Sequence, residues 1–338
     1  MSKKYNVVLV GIGAVGAEML KILDQRNFPI DQLKILARSS REEEIGGRTY
    51  EVRAAAEEEL DGAHFVFFAG TEGAKGASAT YAPPAIKRGA VVIDNGADFR
   101  LDPDVPLIIP EVNPEDIGKH RGLIASPNCS TIQMLMAVAP LYRVSRVTRI
   151  IASTYQAVSG TGRDAICELR EQSPKVLAGE LDIECHVYPH QIAFNVIPQI
   201  GSFKEFGFTT EEWKMDRETR KMLHDDSIRI STTAVRVPVF NGHAESVYIE
   251  TEKPIVVERV REILGEAPGV VLIDDSENAR YPMPIEASGE DGVYVGRIRR
   301  DPYVKNGLHL WIVSDNIRKG AALNVIQIAE RMIADGLV

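Results

Sequence analysis

The sequence lacks most of the features that would place it in a membrane, a secretory pathway or a nucleic-acid complex. No apolar run in the 338 residues is long enough to span a bilayer, and the opening segment lacks the apolar stretch of a signal peptide. The three cysteines show neither a CxxC pair nor metal-ligand spacing, so we expect reduced thiols and no metal centre. A net charge of −9 disfavours nucleic acid or an anionic membrane surface as a partner. These absences favour a cytoplasmic protein with a small-molecule partner.

The chain is long enough for two domains. Of its residues 44% are hydrophobic, enough to bury a large core. Strands alternate with helices up to about residue 130, the pattern of a doubly wound parallel sheet. Longer, widely spaced strands then predict a mixed or antiparallel sheet, and a helix is predicted over 319–335. The predicted strands are 5–10, 33–37, 65–68, 90–93, 122–125, 147–154, 234–238, 246–250 and 294–298.

A glycine-rich turn follows the first predicted strand. Gly11-Ile12-Gly13-Ala14-Val15-Gly16 comes directly after that strand and opens a helical stretch. Gly11 would allow the tight turn, Gly13 would let the backbone approach a pyrophosphate, and Gly16 would let helix and strand pack closely. The pattern favours a dinucleotide site, with a plain strand–turn–helix as the alternative.

The end of the second predicted strand bears on which dinucleotide binds. The chain reads Arg38-Ser39-Ser40-Arg41 where an NAD enzyme usually has Asp or Glu for the ribose hydroxyls. A guanidinium and hydroxyls suit a 2′-phosphate by charge and geometry, so the sequence predicts NADP. The alternative is a solvated basic loop, since Glu42-Glu43-Glu44 follows and weakens the local positive field.

A cysteine lies where a strand gives way to a helix, in Ser126-Pro127-Asn128-Cys129-Ser130-Thr131. Pro127 is expected to end the strand, and Ser130 and Thr131 to cap the helix that follows. Orphan amides and the helix dipole would favour the Cys129 thiolate, the form that attacks acyl carbon. The sequence therefore offers Cys129 as a nucleophile, against the alternative of a small residue that only packs.

Polar residues recur at strand ends and in helices of the second half of the chain: Gln156, the pair Glu211 and Lys214, Arg236, and His243. Each also has a purely structural interpretation. The acid–base pair suits a surface helix, the arginine could face solvent from a strand, and the histidine could simply follow a turn. None of them alone identifies a site.

Together these segments resemble the aspartate-semialdehyde dehydrogenase family, along nearly the whole chain. The matching segments are 126–133, 153–160, 192–195, 211–215, 236–239, 242–243 and 313–316. The resemblance implies an α/β fold: a Rossmann-like, doubly wound NADP-binding domain, 1–128 plus 316–338, and an α+β catalytic and dimerisation domain with a mixed sheet, 129–315. It also implies a homodimer, with pairing of dimers left open.

The resemblance also implies the roles of individual residues. The implied catalytic residues are Cys129 as nucleophile, His243 as acid/base and Gln156 as a positioning group. The implied substrate-binding residues are Arg236 and Glu211 for the carboxylate and amine, Arg100 and Lys214 for phosphate, and Asn128. The implied cofactor-binding residues are Gly11, Ile12, Gly13, Ala14, Val15, Gly16, Arg38, Ser39, Ser159, Gly160 and Asn316.

The activity implied by the resemblance is NADPH-dependent conversion of aspartyl phosphate to aspartate semialdehyde, in lysine, threonine and methionine synthesis. The chemistry agrees, because a thiolate can displace phosphate and a thioester accepts hydride well. One alternative is N-acetyl-γ-glutamyl-phosphate reductase, whose acylated amine would leave Glu211 without an ammonium partner. Another is a non-catalytic dinucleotide-binding sensor.

Two positions depart from the family pattern. The glycine loop reads only Gly11-Ile12-Gly13 where the family usually has one more residue. Asp98 precedes Arg100 by two residues, in a stretch where the family commonly has hydroxyl side chains. The sequence therefore does not determine how the glycine loop binds pyrophosphate or how a phosphate site near Arg100 is arranged.

Overall fold

A computed structural model of the chain describes residues 3–70 and 76–338. The chain divides into two compact units: the first unit is 1–128 with 321–338, and the second unit is 129–320. The predicted division differs from these units in assigning 316–320 to the first domain, and its assignment of functions to the two domains stays a prediction.

The described residues form the following elements. The strands are β1 (Tyr5–Val10), β2 (Ile30–Ala37), β3 (Arg41–Ile45), β4 (Arg48–Ala54), β5 (Phe65–Phe68), β6 (Val91–Asp94), β7 (Leu123–Ala125), β8 (Val147–Gln156), β9 (Arg229–Arg236), β10 (His243–Thr251), β11 (Val270–Leu272), β12 (Val293–Arg300) and β13 (Gly307–Ser314). The helices are α1 (Ala14–Gln25), α2 (Ala77–Lys87), α3 (Cys129–Val144), α4 (Arg163–Leu177), α5 (Thr210–Leu223), α6 (Val257–Glu266), α7 (Pro284–Ala287) and α8 (Leu323–Ala334). Short 3-10 turns and a π-helical turn before α8 connect them.

The first unit is built on a seven-stranded sheet in the order β3-β4-β2-β1-β5-β6-β7. All neighbouring strands are parallel except the hairpin of β3 and β4. The chain leaves β1 for β2 on one side and later returns to β5 on the other. Open α/β sheets bind nucleotides at such a reversal, and the glycine turn lies at the end of β1.

Both faces of this sheet are covered, which is why β5 is apolar and buried at every position. Residues of β1, β5, α1 and α8 belong to one hydrophobic cluster. The helix predicted over 319–335 begins instead with a π-helical turn, Arg318–Ala322, and continues as α8.

The second unit contains a six-stranded sheet in the order β11-β12-β13-β10-β8-β9. The pairs β8–β9 and β11–β12 are parallel and the other pairs are antiparallel, so the sheet is mixed. The first three residues of β10, His243 to Glu245, are all buried, and from there the side chains alternate: Val247 is fully buried, whereas Ser246 and Tyr248 are half-buried. Helix α3 contacts β8, β10 and β13.

The predicted fold class is confirmed: a doubly wound parallel sheet in the first unit and a mixed α+β sheet in the second. Across the two described ranges, the helices are too short or too polar to cross a bilayer.

Candidate active site

The glycine turn has the geometry that a pyrophosphate needs. Gly11 has φ +99°, a conformation that favours glycine. A Cβ on Gly16 would lie 2.1 Å from the Gly11 carbonyl oxygen, so helix and strand pack too closely for any side chain. Among the described residues a Cβ on Gly13 would meet nothing within 4 Å, and Gly13, the N-cap residue of α1, has no side chain that could cap the helix amides. The open space, and a helix start whose N-cap residue offers no capping side chain, fit a dinucleotide.

The basic loop after β2 is exposed at Arg38 and Ser39. Arg41 Nε donates to Glu43 Oε2 at 2.8 Å, so one carboxylate of the acidic run is already paired. Ser40 Oγ accepts a hydrogen bond from the Ala54 amide at 2.9 Å, which fastens the loop to β4. Arg38 and Ser39 thus stand exposed beyond the carboxyl end of β2, next to β1 in the sheet.

Arg100 is buried in the first unit and held by backbone. Its Nε donates to the Gly96 carbonyl at 3.0 Å and its Nη2 to the Asn95 carbonyl at 2.8 Å. Asp98, the unexpected acid, accepts a hydrogen bond from the Ser78 hydroxyl of α2 at 3.4 Å. Burial raises the pKa of nearby Asp94 to about 6. Asp98 is therefore held by a hydrogen bond, and Asp94, the last residue of β6, is held by burial.

Cys129 is the first residue of α3, and it is half-buried. The expectation that Ser130 and Thr131 cap this helix is wrong, because both lie inside its first turn. Ser130 Oγ instead accepts a hydrogen bond from Gln156 Nε2 at 2.9 Å. The thiol is thus carried by the N-terminal turn of α3, and the preceding Asn128 is buried at the end of the first unit.

Gln156 connects the start of α3 to α5. Its Nε2 also donates to Glu211 Oε1 at 3.2 Å, and Glu211 forms an ion pair with Lys214 at 3.6 Å. Because Glu211 is buried, this pair is not the surface pair of the structural interpretation. A capping box of Thr209 and Glu212 fixes the start of α5.

Arg236 and His243 are both bound to the backbone of Ala157. Arg236 Nη1 donates to the Ala157 carbonyl at 2.7 Å, and His243 Nδ1 accepts from the Ala157 amide at 3.0 Å. Both side chains are buried, 4% and 0% exposed, so the solvent-facing arginine and the simple turn histidine are wrong interpretations.

The hydrogen bond to Nδ1 determines where His243 carries its proton. Burial, and then the positive charge of Arg236, hold the pKa of His243 well below its usual value, so the imidazole is neutral. Since Nδ1 accepts a hydrogen bond, the proton resides on Nε2. Nε2 is buried without a hydrogen-bond partner among the described residues. This buried N–H therefore lacks the hydrogen-bond acceptor that such groups usually have.

The remaining predicted cofactor residues of the second unit lie beside this pair. Asn316 Oδ1 accepts from the Ser159 hydroxyl at 3.1 Å and from the Gly242 amide at 3.0 Å. A Cβ on Gly160 would lie 2.9 Å from Arg236 Nη1 and 3.1 Å from His243 Nε2. Any residue larger than Gly160 would therefore fill the space beside the Arg236 guanidinium and the His243 imidazole.

Sequence reasoning missed three residues close to these groups. A Cβ on Gly320 would lie 2.9 Å from the Cys129 Cβ. Asp315 accepts hydrogen bonds from the Asn241 side chain and from three backbone amides. Glu245 is a fully buried carboxyl two residues after His243. A charged residue on the apolar face of a strand was the available signal for Glu245.

The structure thus groups the predicted residues by unit. In the second unit, hydrogen bonds, ion pairs or adjacency in the chain connect the following predicted site residues: Cys129, Gln156, Ser159, Gly160, Glu211, Lys214, Arg236, His243 and Asn316. The first unit holds the glycine turn (Gly11 to Gly16), Arg38, Ser39, Arg100 and Asn128. Within residues 3–70 and 76–338, no His, Cys, Asp or Glu side chains are grouped as they would be around a metal ion.

Comparison with known proteins identifies the family. The family model described as "Semialdehyde dehydrogenase, NAD binding domain" matches residues 6–120, and the one described as "Semialdehyde dehydrogenase, dimerisation domain" matches residues 138–319. The aspartate-semialdehyde dehydrogenase of Aquifex aeolicus is 48% identical over 341 residues, and that of Shewanella violacea is 50% identical over 344. Each alignment covers 99% of this chain and 99% of the relative.

A solved structure gives the same result. The crystal structure of aspartate semialdehyde dehydrogenase II from Vibrio cholerae, complexed with ASA, matches with a TM-score of 0.93 at 45% identity, covering 99% of both chains. The resemblance found in the sequence is therefore confirmed over the full length of the relatives. The chain belongs to the aspartate-semialdehyde dehydrogenase family of oxidoreductases.

Proposed function

We propose that the protein converts L-aspartyl 4-phosphate to L-aspartate 4-semialdehyde with NADPH, and catalyses the reverse phosphorylating oxidation. One observation carries the proposal. In a chain 48–50% identical to aspartate-semialdehyde dehydrogenases, a helix-start cysteine, a neutral histidine, a buried arginine and a buried glutamate belong to one unit. The cysteine and the histidine are the groups that thioester chemistry uses, and the arginine and the glutamate match the two charged groups of an amino-acid substrate.

The charged residues match the charges of this substrate. Arg236 can hold the α-carboxylate, since a guanidinium binds a carboxylate through two parallel hydrogen bonds. Glu211 can hold the ammonium group, and its carboxylate already forms an ion pair with the Lys214 ammonium. Lys214 and Arg100 are the proposed cations for the phosphate, and Asn128 lines the substrate site.

Cys129 performs the covalent chemistry. Its thiolate attacks the acyl carbon, the bond from that carbon to the phosphate oxygen breaks, and phosphate leaves a thioester on sulfur. When bound, the reduced nicotinamide cofactor supplies the hydride that converts the thioester carbon to the aldehyde level. The carbon–sulfur bond then breaks, which releases the aldehyde and restores the thiolate.

His243 and Gln156 act on the oxygen and the orientation of the reacting group. His243 Nε2–H is the donor for the negative charge that develops on the carbonyl oxygen in both steps. Gln156 keeps Glu211 and the first turn of α3 in a fixed relation, because its amide donates to both. Substrate and nucleophile are thereby aligned.

NADP is the proposed cofactor. The backbone of Gly11 to Gly16 would hold the pyrophosphate, since Gly13 at the N-cap of α1 has no capping side chain and borders open space among the described residues. Arg38 and Ser39 would bind the 2′-phosphate. Ser159, Gly160 and Asn316 would line the cofactor from the second unit.

A homodimer in amino-acid biosynthesis is the proposed context. Residues 138–319 match a dimerisation domain, and the sheet of the second unit carries a half-exposed aromatic pair, Tyr155 and Trp311, with ring centroids 5.5 Å apart. We expect a second copy to cover this face. The product would feed the synthesis of lysine, threonine and methionine.

One assay separates the candidate functions. NADP+ reduction is followed with aspartate semialdehyde and phosphate, and in parallel with N-acetylglutamate semialdehyde and phosphate. We expect phosphate-dependent turnover with the first aldehyde only. Turnover with the second alone would identify an N-acetyl-γ-glutamyl-phosphate reductase, and turnover with neither would identify a dinucleotide-binding sensor.

A further inference from the structure

Asp315 is a buried carboxylate of the second unit that has no part in the proposed chemistry. It is 2% exposed and directly follows Ser314, the last residue of β13. Ser314 pairs with His243 across the sheet, and its hydroxyl donates to Gln133 Oε1 of α3 at 2.8 Å. The chain therefore leaves the sheet at Asp315 beside the strand that His243 begins and the helix that Cys129 begins.

One oxygen of this carboxylate closes a turn that packs against Cys129. Oδ1 accepts from the backbone amides of Ile317 at 2.8 Å and Arg318 at 3.0 Å, and the Asp315 carbonyl accepts from the Gly320 amide at 3.1 Å. A Cβ on Gly320 would lie 2.9 Å from the Cys129 Cβ and 3.4 Å from its Cα. The turn in contact with the proposed nucleophile is therefore held at its start by Asp315.

The other oxygen of the carboxylate holds the turn that leads into His243. Oδ2 accepts from Asn241 Nδ2 and from the Gly289 amide, both at 2.7 Å. Asn241 lies two residues before His243, and the amide of the residue between them donates to Asn316 Oδ1 at 3.0 Å. Consecutive side chains at the end of β13 therefore bind this turn.

The four hydrogen bonds at the Asp315 carboxylate all come from N–H donors, which is what an ionised carboxylate accepts. A buried carboxylate is costly unless its oxygens are satisfied in this way, and charge-assisted hydrogen bonds are stronger than neutral ones. The donors belong to three separate segments of the chain. One side chain thus connects the turn before His243, the loop after α7 and the turn against Cys129.

We propose that Asp315 is a positioning residue of the thioester site, which holds the turn against Cys129 with one carboxylate oxygen and the turn before His243 with the other. The proposal rests on the proposed roles of Cys129 and His243. Small displacements of reacting groups cost large factors in rate, so this attachment affects turnover.

Substrate affinity should depend on Asp315 much less than turnover does. The proposed anchors of the substrate are held by other groups: Arg236 donates to the Ala157 carbonyl, and Glu211 accepts from the Gln156 amide. A change at Asp315 leaves both of these hydrogen bonds in place. We therefore expect an effect on kcat with little effect on KM for the aldehyde.

Three replacements of Asp315 separate its two attachments. Asp315→Asn keeps the size and one acceptor oxygen, and its NH2 group can donate to Asn241 once the amide of Asn241 rotates. Asp315→Ser keeps an oxygen that can accept from the amide two residues on, but its side chain is too short to replace Oδ2. Asp315→Ala removes both acceptors.

The first measurement is the steady-state rate with aspartate semialdehyde, phosphate and NADP+. We expect Asp315→Asn to keep kcat within about fivefold of the parent, and Asp315→Ser and Asp315→Ala to lower it by roughly 10- to 100-fold. KM for aspartate semialdehyde should stay within about threefold in all three variants.

Asp225→Ser is the matched control. Asp225 is also a buried carboxylate of the second unit, and its Oδ1 accepts from the amide two residues on, that of Ser227, at 2.9 Å. Its Oδ2 accepts from Arg146 Nε at 2.9 Å, and neither partner is a predicted site residue. The control should lower thermal stability and leave kcat unchanged.

A second measurement does not depend on the substrate. The rate at which iodoacetamide alkylates Cys129 is measured in the parent and in each variant, with Cys167 and Cys185 replaced by serine throughout. We expect parental rates in Asp315→Asn, Asp315→Ser and the control, since each leaves the turn against Cys129 closed. Asp315→Ala should be alkylated faster by about threefold or more, because a looser turn exposes more of the half-buried thiol. If the parent does not turn over aspartate semialdehyde yet alkylation follows this pattern, the proposed function fails and the attachment of the Cys129 turn to Asp315 stands.

Three results would overturn the positioning role. An Asp315→Ser enzyme as fast as the parent would show that the His243 turn does not depend on Asp315. An Asp315→Asn enzyme as slow as Asp315→Ser would show that the charge matters and the acceptor positions do not. An equal loss of kcat in Asp225→Ser would show that lower stability alone causes the effect. If Asp315→Ala does not fold, the difference in kcat between Asp315→Asn and Asp315→Ser decides: a difference supports the role and its absence overturns it.

Discussion

Arg236 and His243 in the second unit and the residues proposed to bind the cofactor's phosphates in the first unit are held in opposite ways. In the second unit, Arg236 and His243 are 4% and 0% exposed and are both fixed to the backbone of one residue. In the first unit, Gly13, Arg38 and Ser39 are exposed. Groups that stabilise developing charge are most effective when the protein orients them in advance, whereas groups that grip a cofactor can be ordered by it. We therefore expect substitutions to propagate within the second unit and to act singly in the first.

The largest effect is expected from Cys129→Ser. The change replaces only sulfur with oxygen, so the fold should persist, but a serine hydroxyl is a far weaker nucleophile at neutral pH. Turnover should fall by at least about a thousandfold, measured as phosphate-dependent NADP+ reduction. Cys167→Ser and Cys185→Ser are the matched controls and should remain active. Inactivation that followed alkylation of Cys167 would contradict the assignment.

His243→Asn should reduce turnover by about a hundred- to ten-thousandfold with little effect on substrate affinity. The pH dependence provides a second readout. Because the pKa of His243 lies well below 6.5, the imidazole stays neutral as pH falls to 6.5 and gains its proton only at lower pH. Protonation of His243 should therefore lower the turnover of the parent only below pH 6.5. The variant should not show this decrease. A variant with the parental profile and turnover would place the hydrogen-bond donor elsewhere.

Gly160→Ala tests the coupling inside the second unit without removing a polar group. The added Cβ would come within 2.9 Å of Arg236 Nη1 and 3.1 Å of His243 Nε2, so the guanidinium must shift and the imidazole is crowded. We expect kcat/KM to fall by roughly 10- to 100-fold, as displacements of about 1 Å do at active sites. Gly118→Ala, where the Cβ meets nothing within 4 Å, is the control and should be neutral. Equal activity of both variants would show that the pair tolerates displacement.

Arg38→Ser should have the most selective effect. Loss of a charge-assisted hydrogen bond to the 2′-phosphate would raise KM for NADPH by roughly ten- to a hundredfold, equivalent to about 1.5–3 kcal/mol. KM for NADH and turnover at saturating cofactor should change little, because Arg38 is exposed and has no part in the proposed covalent chemistry. An equal rise for both cofactors would show that Arg38 does not bind the phosphate.

Local patterns predicted the parts of the fold that local forces determine. The run 5–10 coincides with β1, and Gly11 and Gly16 occupy a positive-φ turn and a close contact, as their spacing indicates. β3 was not predicted because it is an edge strand of charged, mostly exposed residues without apolar alternation. β13, which is central, was also missed, because its apolar residues do not form a clean alternation around His309.

The candidate site could not be assembled from local patterns at all. Gln156 and Glu211 are 55 positions apart, and Ala157 and His243 are 86 apart, so only the tertiary fold brings them together. The family resemblance supplied these residues. Helix capping at Ser130 was predicted wrongly for the same reason, since the hydroxyl is engaged by a distant amide.

The attachment of Arg236 and His243 to Ala157 has a consequence for the length of the substrate. Both are held by main-chain atoms of a single residue, so neither can adjust by rotating its side chain without losing a buried hydrogen bond. If the proposed function is correct, Arg236 and His243 fix the distance between the α-carboxylate of the substrate and its carbonyl oxygen. A homologous substrate with one more methylene group would bind its carboxylate and overshoot the histidine, so the protein should reject it at the chemical step and not at binding.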